Sequence, residues 1–444
     1  MKRILLLTLL CLSLAAQAQW YNATSQKTGL VLSLHLTDTA VSLYSPLQTS
    51  DPIPVSRWSL QGDTLDIECK SIGFKAVLTR RDGTLSGYWK QGLLKENITF
   101  LPSDTLFTLR RPQTPQPPYR FDEETVTADL TDSQGNKVHL EGTLTYPKGG
   151  GRYPCLVLVS GSGQQNRDEE IFSHRPFLVL ADHLAARGIA TFRYDDRGVG
   201  ASTGPLDSAD TRLFADDAEA LFRMLKSHPR VDPARLGLGG HSEGGAIAPL
   251  VAARNKDVRF VVMLAGQGCT GLDVLLQQNE AIYRANGLSE RLLAVRMACL
   301  RESFAMPAGS SQKDYTAVID RHTAGLSKAE VDSLGLGRGS AAAMKQQMDN
   351  RWMQTFLTLD PADYLPRVKV PVLALNGDRD CQVLAQPNLQ RIRQLCPQAE
   401  IHELHGLNHL FQHCTTGSPD EYILIEETFA VEALKLITDF IGKL

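Results

Sequence analysis

From residue 155 onward, short apolar runs of strand character alternate with amphipathic stretches of helical period, and this alternation constrains the fold more than any other feature. The strand-like runs fall at 155–159, 190–194, 235–239, 260–264, 370–375 and 400–404. Helical patterns lie between them, at 212–226 and 246–253, and a long one closes the chain at 422–444. Strands separated by helices build a mostly parallel sheet with helices on its faces, an α/β architecture. A hairpin around Asp132-Ser133-Gln134-Gly135-Asn136 leads into it. Only residues 268–364 break the alternation: they are helical in pattern, interrupted by the small-residue stretch 335–343, and read as a cap inserted over the sheet.

The region upstream has a different period. Residues 20–110 carry short alternating runs, such as Leu30-Val31-Leu32-Ser33-Leu34 and Phe74-Lys75-Ala76-Val77-Leu78, with turn signals such as Asp82-Gly83, and predict a small all-β domain over 19–110. Four prolines within residues 111–118 then favour an extended linker, 111–119, with no packed core of its own. The catalytic domain is expected over 120–444, a division that suits 444 residues at roughly 100–200 per domain. At the start, Lys2 and Arg3 precede an uncharged stretch ending in Ala16-Gln17-Ala18, the pattern of a signal peptide over 1–18 cleaved after Ala18. Export to the periplasm or the cell exterior is the expectation. No apolar stretch reaches the ~18 residues of a membrane span, and Thr8-Leu9-Leu10 before Cys11 lacks the small residues of a lipidation site.

Composition excludes some partners. With 46 Lys and Arg against 49 Asp and Glu there is no basic surface for nucleic acid. The cysteines after the leader are Cys69, Cys155, Cys269, Cys299, Cys381, Cys396 and Cys414, an odd number without CxxC spacing. Buried small hydrophobes are the expectation for them, with a Cys381–Cys414 bridge as the alternative.

The chemistry concentrates after the strands. Gly240-His241-Ser242-Glu243-Gly244 follows the run at 235–239 and opens a helical pattern, the strand–turn–helix setting in which G-x-S-x-G projects a serine hydroxyl above a sheet. A serine hydroxyl is a weak nucleophile and needs a base, which in turn needs an orienting carboxylate. Asp378 and Asp380 lie past the run at 370–375; His402, His405, His409 and His413 lie in or after the run at 400–404. The order Ser, Asp, His is that of a G-x-S-x-G elbow on a parallel sheet. His405, His409 and His413 are four apart, but no carboxylate stands at ligand spacing, so no metal is expected. His241, held in the turn, reads as a packing residue.

These segments resemble α/β-hydrolase serine esterases, and among them the bacterial EstD-type carboxylesterase family, related to serine aminopeptidase-like hydrolases. The resemblance rests on Gly161-Ser162-Gly163-Gln164-Gln165-Asn166-Arg167-Asp168, Tyr194-Asp195-Asp196-Arg197-Gly198-Val199-Gly200-Ala201-Ser202, the Gly240 to Gly244 motif, and the segments of Asp380 and Gly406-Leu407-Asn408-His409. It spans 120–268 and 365–444 and covers neither the β domain nor the cap well. It implies Ser242 as nucleophile, His409 as base and Asp380, three residues after Gly377, as acid, with Asp378 left to the turn. An oxyanion hole would use backbone N–H groups of Glu243 and of Ser162 or Gly163. Asn166, Arg167, Asp168 and Arg197 would bind substrate or brace the site. In the cap, Trp352 and Phe356, four apart, would line an acyl pocket or pack in a core.

The resulting expectation is an exported serine hydrolase that cleaves a small-molecule or glycan-linked carboxylic ester through an acyl-enzyme, without cofactor. Two readings compete with it. One is a serine peptidase of aminopeptidase or acylaminoacyl-peptidase type, for which Glu243 or the Asp168–Glu169 pair would receive a substrate amine. The other is a glycan-binding protein with a secondary or inert hydrolase part.

Overall fold

The computed structural model describes residues 19–25, 28–48, 51–92 and 94–444. The leader expected at 1–18 lies outside them. The chain divides into two compact units at Arg110 and Arg111.

The first unit is a single antiparallel sheet. Its strands are β1 (Gln19–Thr24), β2 (Val31–Leu36), β3 (Val41–Tyr44), β4 (Arg57–Gln61), β5 (Thr64–Cys69), β6 (Phe74–Arg81), β7 (Thr84–Gln91) and β8 (Leu94–Ser103). They run in the order β3-β2-β1-β8-β7-β6-β5-β4. Side chains alternate across a strand, so Phe74, Ala76 and Leu78 of β6 face the core with Trp89, Leu34 and Phe100 while Lys75 faces water. The segment from β3 to β4 is laced to the sheet at both ends: Ile53 bridges Leu43, and Ser56 N–H donates to the Glu68 carbonyl at 2.8 Å.

The second unit is an eight-stranded mixed sheet. A hairpin, β9 (Phe121–Thr131) and β10 (Lys137–Pro147), precedes β11 (Tyr153–Val159), α1 (Pro176–Ala185), β12 (Ala190–Tyr194), α2 (Thr211–Lys226), β13 (Val231–His241), α3 (Gly244–Ala252) and β14 (Val261–Leu264). Six helices form the insertion: α4 (Gly271–Ala285), α5 (Glu290–Phe304), α6 (Gln312–Thr323), α7 (Lys328–Ser333), α8 (Ser340–Asp349) and α9 (Arg351–Leu357). The chain then resumes with β15 (Val372–Gly377), α10 (Ala385–Leu395), β16 (Glu400–Leu404) and α11 (Val431–Gly442). The order is β16-β15-β14-β13-β11-β12-β10-β9, parallel from β12 through β16 and antiparallel at the hairpin edge.

The central strands β11 and β14 are almost wholly apolar and buried because they are covered on both faces. In β11, Val157 and Val159 pack with Leu221 and Phe222 of α2 and Ile392 of α10. Leu156 and Leu158 pack on the other face with Leu180 and Leu184 of α1 and Leu434 and Ile437 of α11. Burying each such side chain is worth about 1.5–3 kcal/mol. Among the described residues no helix is long and apolar enough to cross a membrane.

Two expectations are corrected here. The closing helix starts at Val431 rather than 422. Residues 422–430 give their backbone groups to distant partners: the Arg111 guanidinium donates to the carbonyls of Ile423 and Ile425 at 2.8 and 2.9 Å, and Gln113 bonds both N–H and C=O of Phe429. Those same bonds show that the proline-rich stretch is not a free spacer; Arg111 and Gln113 pin it to the hydrolase unit, with a further bond from Arg111 to the Phe172 carbonyl at 2.8 Å.

Candidate active site

β13 ends at His241 and α3 starts at Gly244, so Ser242 must turn the chain within two residues. It does so at φ 55, in the left-handed region, with its N–H donating to the Leu264 carbonyl at 2.8 Å. The flanking glycines are required by close approach. A Cβ on Gly240 would lie 2.2 Å from the Gly244 carbonyl oxygen, and one on Gly244 2.1 Å from that of Val159.

Asp380 stands just past the C-terminal end of β15 and accepts from His409 Nδ1 at 2.7 Å, with side chains 0% and 4% exposed. Its other oxygen accepts the N–H groups of Gln382 and Val383 at 2.7 and 2.8 Å, which fix the carboxylate. The loop carrying His409 is set by Asn408, whose side-chain oxygen accepts from Leu410 and Gln412 N–H. The rival groups lie elsewhere. Asp378 binds His405 and Gly406 N–H, His402 pairs with Glu400, and His413 with Glu427 and Glu432.

Ser242 and His409 line one cavity of about 240 Å³, shared with Ser162, His241, Glu243, the glutamines Gln165, Gln267, Gln278 and Gln382, and the cap residues Trp352 and Phe356. Among the described residues, the backbone N–H groups of Ser162, Gly163 and Glu243 are taken by no protein acceptor. Gly163 lies in the wall of a neighbouring cavity of about 370 Å³, which shares Ser162 and Trp352 with the first. Gly161 N–H is not available; it donates to Glu169 Oε1 at 2.6 Å. Trp352 stacks on Phe356, centroids 4.9 Å apart, and its indole N–H donates to both carboxylate oxygens of Glu243 at 2.8 and 2.9 Å. Thr211 also donates to Glu243. Burial raises the Glu243 carboxyl above the ordinary carboxylate range, opposed by these donors.

Of the two roles expected for Asn166, Arg167, Asp168 and Arg197, their bonds fit the brace, and all four lie outside the lining of this cavity. Asn166 accepts from Asp168 and Glu170 N–H and shapes its own loop. Arg167 pairs with Asp195 at 2.7 Å and Glu141 at 3.0 Å, and Asp168 with the buried Arg193. Arg197, 0% exposed, forks onto Asp217 through two 2.7 Å bonds and reaches Asp132 at 2.9 Å. These are braces under the loops after β11 and β12. Asp196 completes them, accepting from Ser160 Oγ at 2.9 Å and Gln165 N–H at 3.1 Å.

Two residues of the site escaped sequence reading in opposite ways. His241 was expected to pack; it lines the cavity and bonds Glu169 and the His409 carbonyl. Glu169 was offered as an amine receptor; its carboxylate is buried and already engaged. Among the described residues the seven cysteines are free thiols, without a Cys381–Cys414 bridge, and burial raises both thiols' pKa, that of Cys414 to about 11.

A strained serine between a parallel strand and a helix, with an acid–imidazole pair delivered from the ends of two later strands, defines an α/β-hydrolase. Residues 174–413 match the family Hydrolase_4, described as serine aminopeptidase, S33, and the chain belongs to that family. It is 25% identical over 295 residues to Esterase EstD of Thermotoga maritima, a match covering 66% of this chain and 61% of the relative. The chain thus spans about three fifths of that relative's length. A 116-residue stretch is 30% identical to the polyketide transferase claH of Penicillium crustosum, covering 24% of this chain and 37% of that one. Among solved structures, an esterase Pf2001 of Pyrococcus furiosus aligns at TM-score 0.43 and 16% identity, covering 73% of this chain and 91% of the other. Est1E of Butyrivibrio proteoclasticus with ferulic acid bound aligns at TM-score 0.40 and 17% identity, covering 70% and 96%.

Proposed function

We propose that the protein hydrolyses small carboxylic esters through an acyl-enzyme on Ser242. His409 takes the Ser242 proton as the hydroxyl attacks the ester carbonyl, while Asp380 holds the ring and balances the imidazolium. The negative oxygen of the tetrahedral intermediate sits against the N–H groups of Ser162 and Glu243. His409 then returns the proton to the departing alcohol, and water, deprotonated by His409, releases the acid and frees Ser242. The observation that carries this reading is the buried Asp380–His409 bond of 2.7 Å on the cavity that holds Ser242 at φ 55.

Ester rather than peptide follows from the carboxylates. An aminopeptidase needs an acidic group to receive the substrate ammonium, and the acids at hand are already engaged: Glu243 by Trp352 and Thr211, Glu169 by His241 and Gly161, Asp168 by Arg193. The esterase name of the T. maritima relative agrees, while the family description keeps a peptidase as the second reading. A cavity of about 240 Å³ is smaller than the ~300–1,000 Å³ of pockets that take drug-sized ligands, and its charge-neutral glutamine amides suit a short, uncharged ester. Export, proposed from Lys2, Arg3 and the Ala16-Gln17-Ala18 pattern, would place such substrates outside the cytoplasm.

The test is turnover of a nitrophenyl ester chain-length series beside an aminoacyl-nitroanilide panel. Ester hydrolysis that favours short acyl groups, with negligible anilide cleavage, is expected. Anilide cleavage that depends on Ser242 would replace the esterase by a peptidase.

A further inference from the structure

Behind the nucleophile lies a second acid–imidazole pair, which the proposed mechanism does not use. His241 Nε2 is 2.8 Å from the His409 carbonyl oxygen, an atom that only accepts, so Nε2 carries a proton. His241 Nδ1 is 2.9 Å from Glu169 Oε1, and that same oxygen receives the Gly161 N–H at 2.6 Å. An ionised Glu169 oxygen that accepts from Gly161 on one lone pair offers its other to an Nδ1–H, the arrangement in which both ring nitrogens donate. Glu169 reaches this position at φ 52, a conformation unusual for a non-glycine residue and sustained only when its surroundings hold it. Both side chains are buried.

Resting on the assignment of Ser242 and His409 as nucleophile and base, we infer that His241 is a positively charged positioning residue. Through Glu169 it fixes the Gly161–Ser162 oxyanion loop, and through the His409 carbonyl it fixes the loop of the base. Three separate loops, after β11, β13 and β16, meet on this one imidazole. Its ring lies 4.6 Å from that of His409, and Phe411 closes the other side edge-on at 6.4 Å. The titratable groups facing it are Glu169, Asp380 and His409; Asp196 and Glu243 belong to the same buried cluster. Burial acts to lower the His241 pKa, but the Glu169 charge and hydrogen bond, the His409 carbonyl and the Asp380 charge outweigh it and hold the pKa above the ordinary histidine value.

The experiment joins kinetics to histidine NMR on the full chain. His241→Gln retains a side-chain donor toward the His409 carbonyl but removes the charge. Its kcat on a short nitrophenyl ester is expected to fall about 10²-fold with little change in KM, the effect of a misplaced catalytic group. The acid limb of its kcat/KM profile is expected to move up by about one pH unit, because a like charge beside His409 is gone. A fall in kcat with the limb unmoved would make His241 merely structural and overturn the inference, as would unchanged kcat. Nitrogen-15 histidine spectra of the unmodified protein need neither substrate nor a folded variant. They should show one imidazole protonated on both nitrogens at pH 7.5 that becomes neutral in Glu169→Gln. If no such signal exists, the inference fails even with the esterase reading intact; if it exists but no ester is turned over, the esterase reading fails alone.

Discussion

The two units bury polar groups in different ways. In the N-terminal sheet, among the described residues, the buried polar side chains are three serines and Glu96, with Glu96 bonded to Ser25, and its charges otherwise face water. In the hydrolase unit Arg193, Arg197, Glu169, Asp195, Asp380, His241 and His409 are all buried and paired, and Asp196 and Glu243 are buried against neutral hydrogen-bond donors. Taking a charge out of water costs several kcal/mol unless a partner replaces the lost hydration. An antiparallel sheet in which most strands alternate buried with solvent-facing side chains has little need to meet that cost. The mixed sheet meets it at the C-terminal ends of its parallel strands, in and after β11, β12, β13, β15 and β16, where the proposed catalytic atoms must be held within fractions of an ångström.

The largest test of this contrast is Asp380→Asn. Replacing the buried carboxylate by an amide of the same shape leaves His409 in the wrong tautomer, and kcat is expected to fall about 10⁴-fold with the melting temperature nearly unchanged. A loss below tenfold would show that the buried pair serves the fold rather than the reaction. Next comes stability. Arg197→Ala leaves Asp132 and Asp217 buried without their cation and should cost about 3–5 kcal/mol in urea unfolding. The same truncation of Lys75, whose partner Glu68 lies on the water face of the first sheet, should leave the midpoint where it was. Equal effects would erase the distinction between the units.

A smaller effect concerns pH. Burial raises the Asp196 pKa from 3.8 to about 8, helped by the Glu243 and Glu169 charges and opposed by its bonds from Ser160 and Gln165. The folded state then keeps a proton that the unfolded chain releases near pH 4, so this group's stabilising contribution is full below that value and is lost as pH rises toward 8. Denaturation at intervals between pH 5 and 8 should show that decline, and Asp196→Asn should flatten it; an unaltered slope would mean Asp196 is ionised in the fold. The smallest effect is expected at Trp352→Phe, which keeps the ring stack but removes the indole donor from Glu243. A change of about threefold to tenfold in KM, with kcat retained, is the outcome for a wall residue that does not touch the reacting atoms.

Much of this architecture was legible because its signals are local. The runs at 190–194 and 400–404 coincide with β12 and β16, although β12 is buried throughout and β16 is a half-exposed edge strand with alternating polar residues. The Ser242 turn was readable because glycines at 240 and 244 are dictated by backbone approach within the motif and to β11. What was missed depended on distant partners. Nothing in the helical pattern of residues 422–430 reveals that Arg111 and Gln113, some three hundred positions away, take their backbone groups. The roles of His241, Glu169 and Arg197 turn on which way each side chain points, and spacing does not encode that. Glu169 beside Gly161 and His241 beside Ser242 were each visible as neighbours of the motifs; only the fold joins them.

In the proposed mechanism Ser242 is the activated nucleophile of a buried Asp380–His409 pair. Labelling with a fluorophosphonate, followed by peptide mass mapping, tests this most directly. The prediction is one stoichiometric adduct, on Ser242, formed at least about 10³-fold more slowly in His409→Gln. An adduct on another residue, or labelling of Ser242 at the same rate without His409, would contradict it.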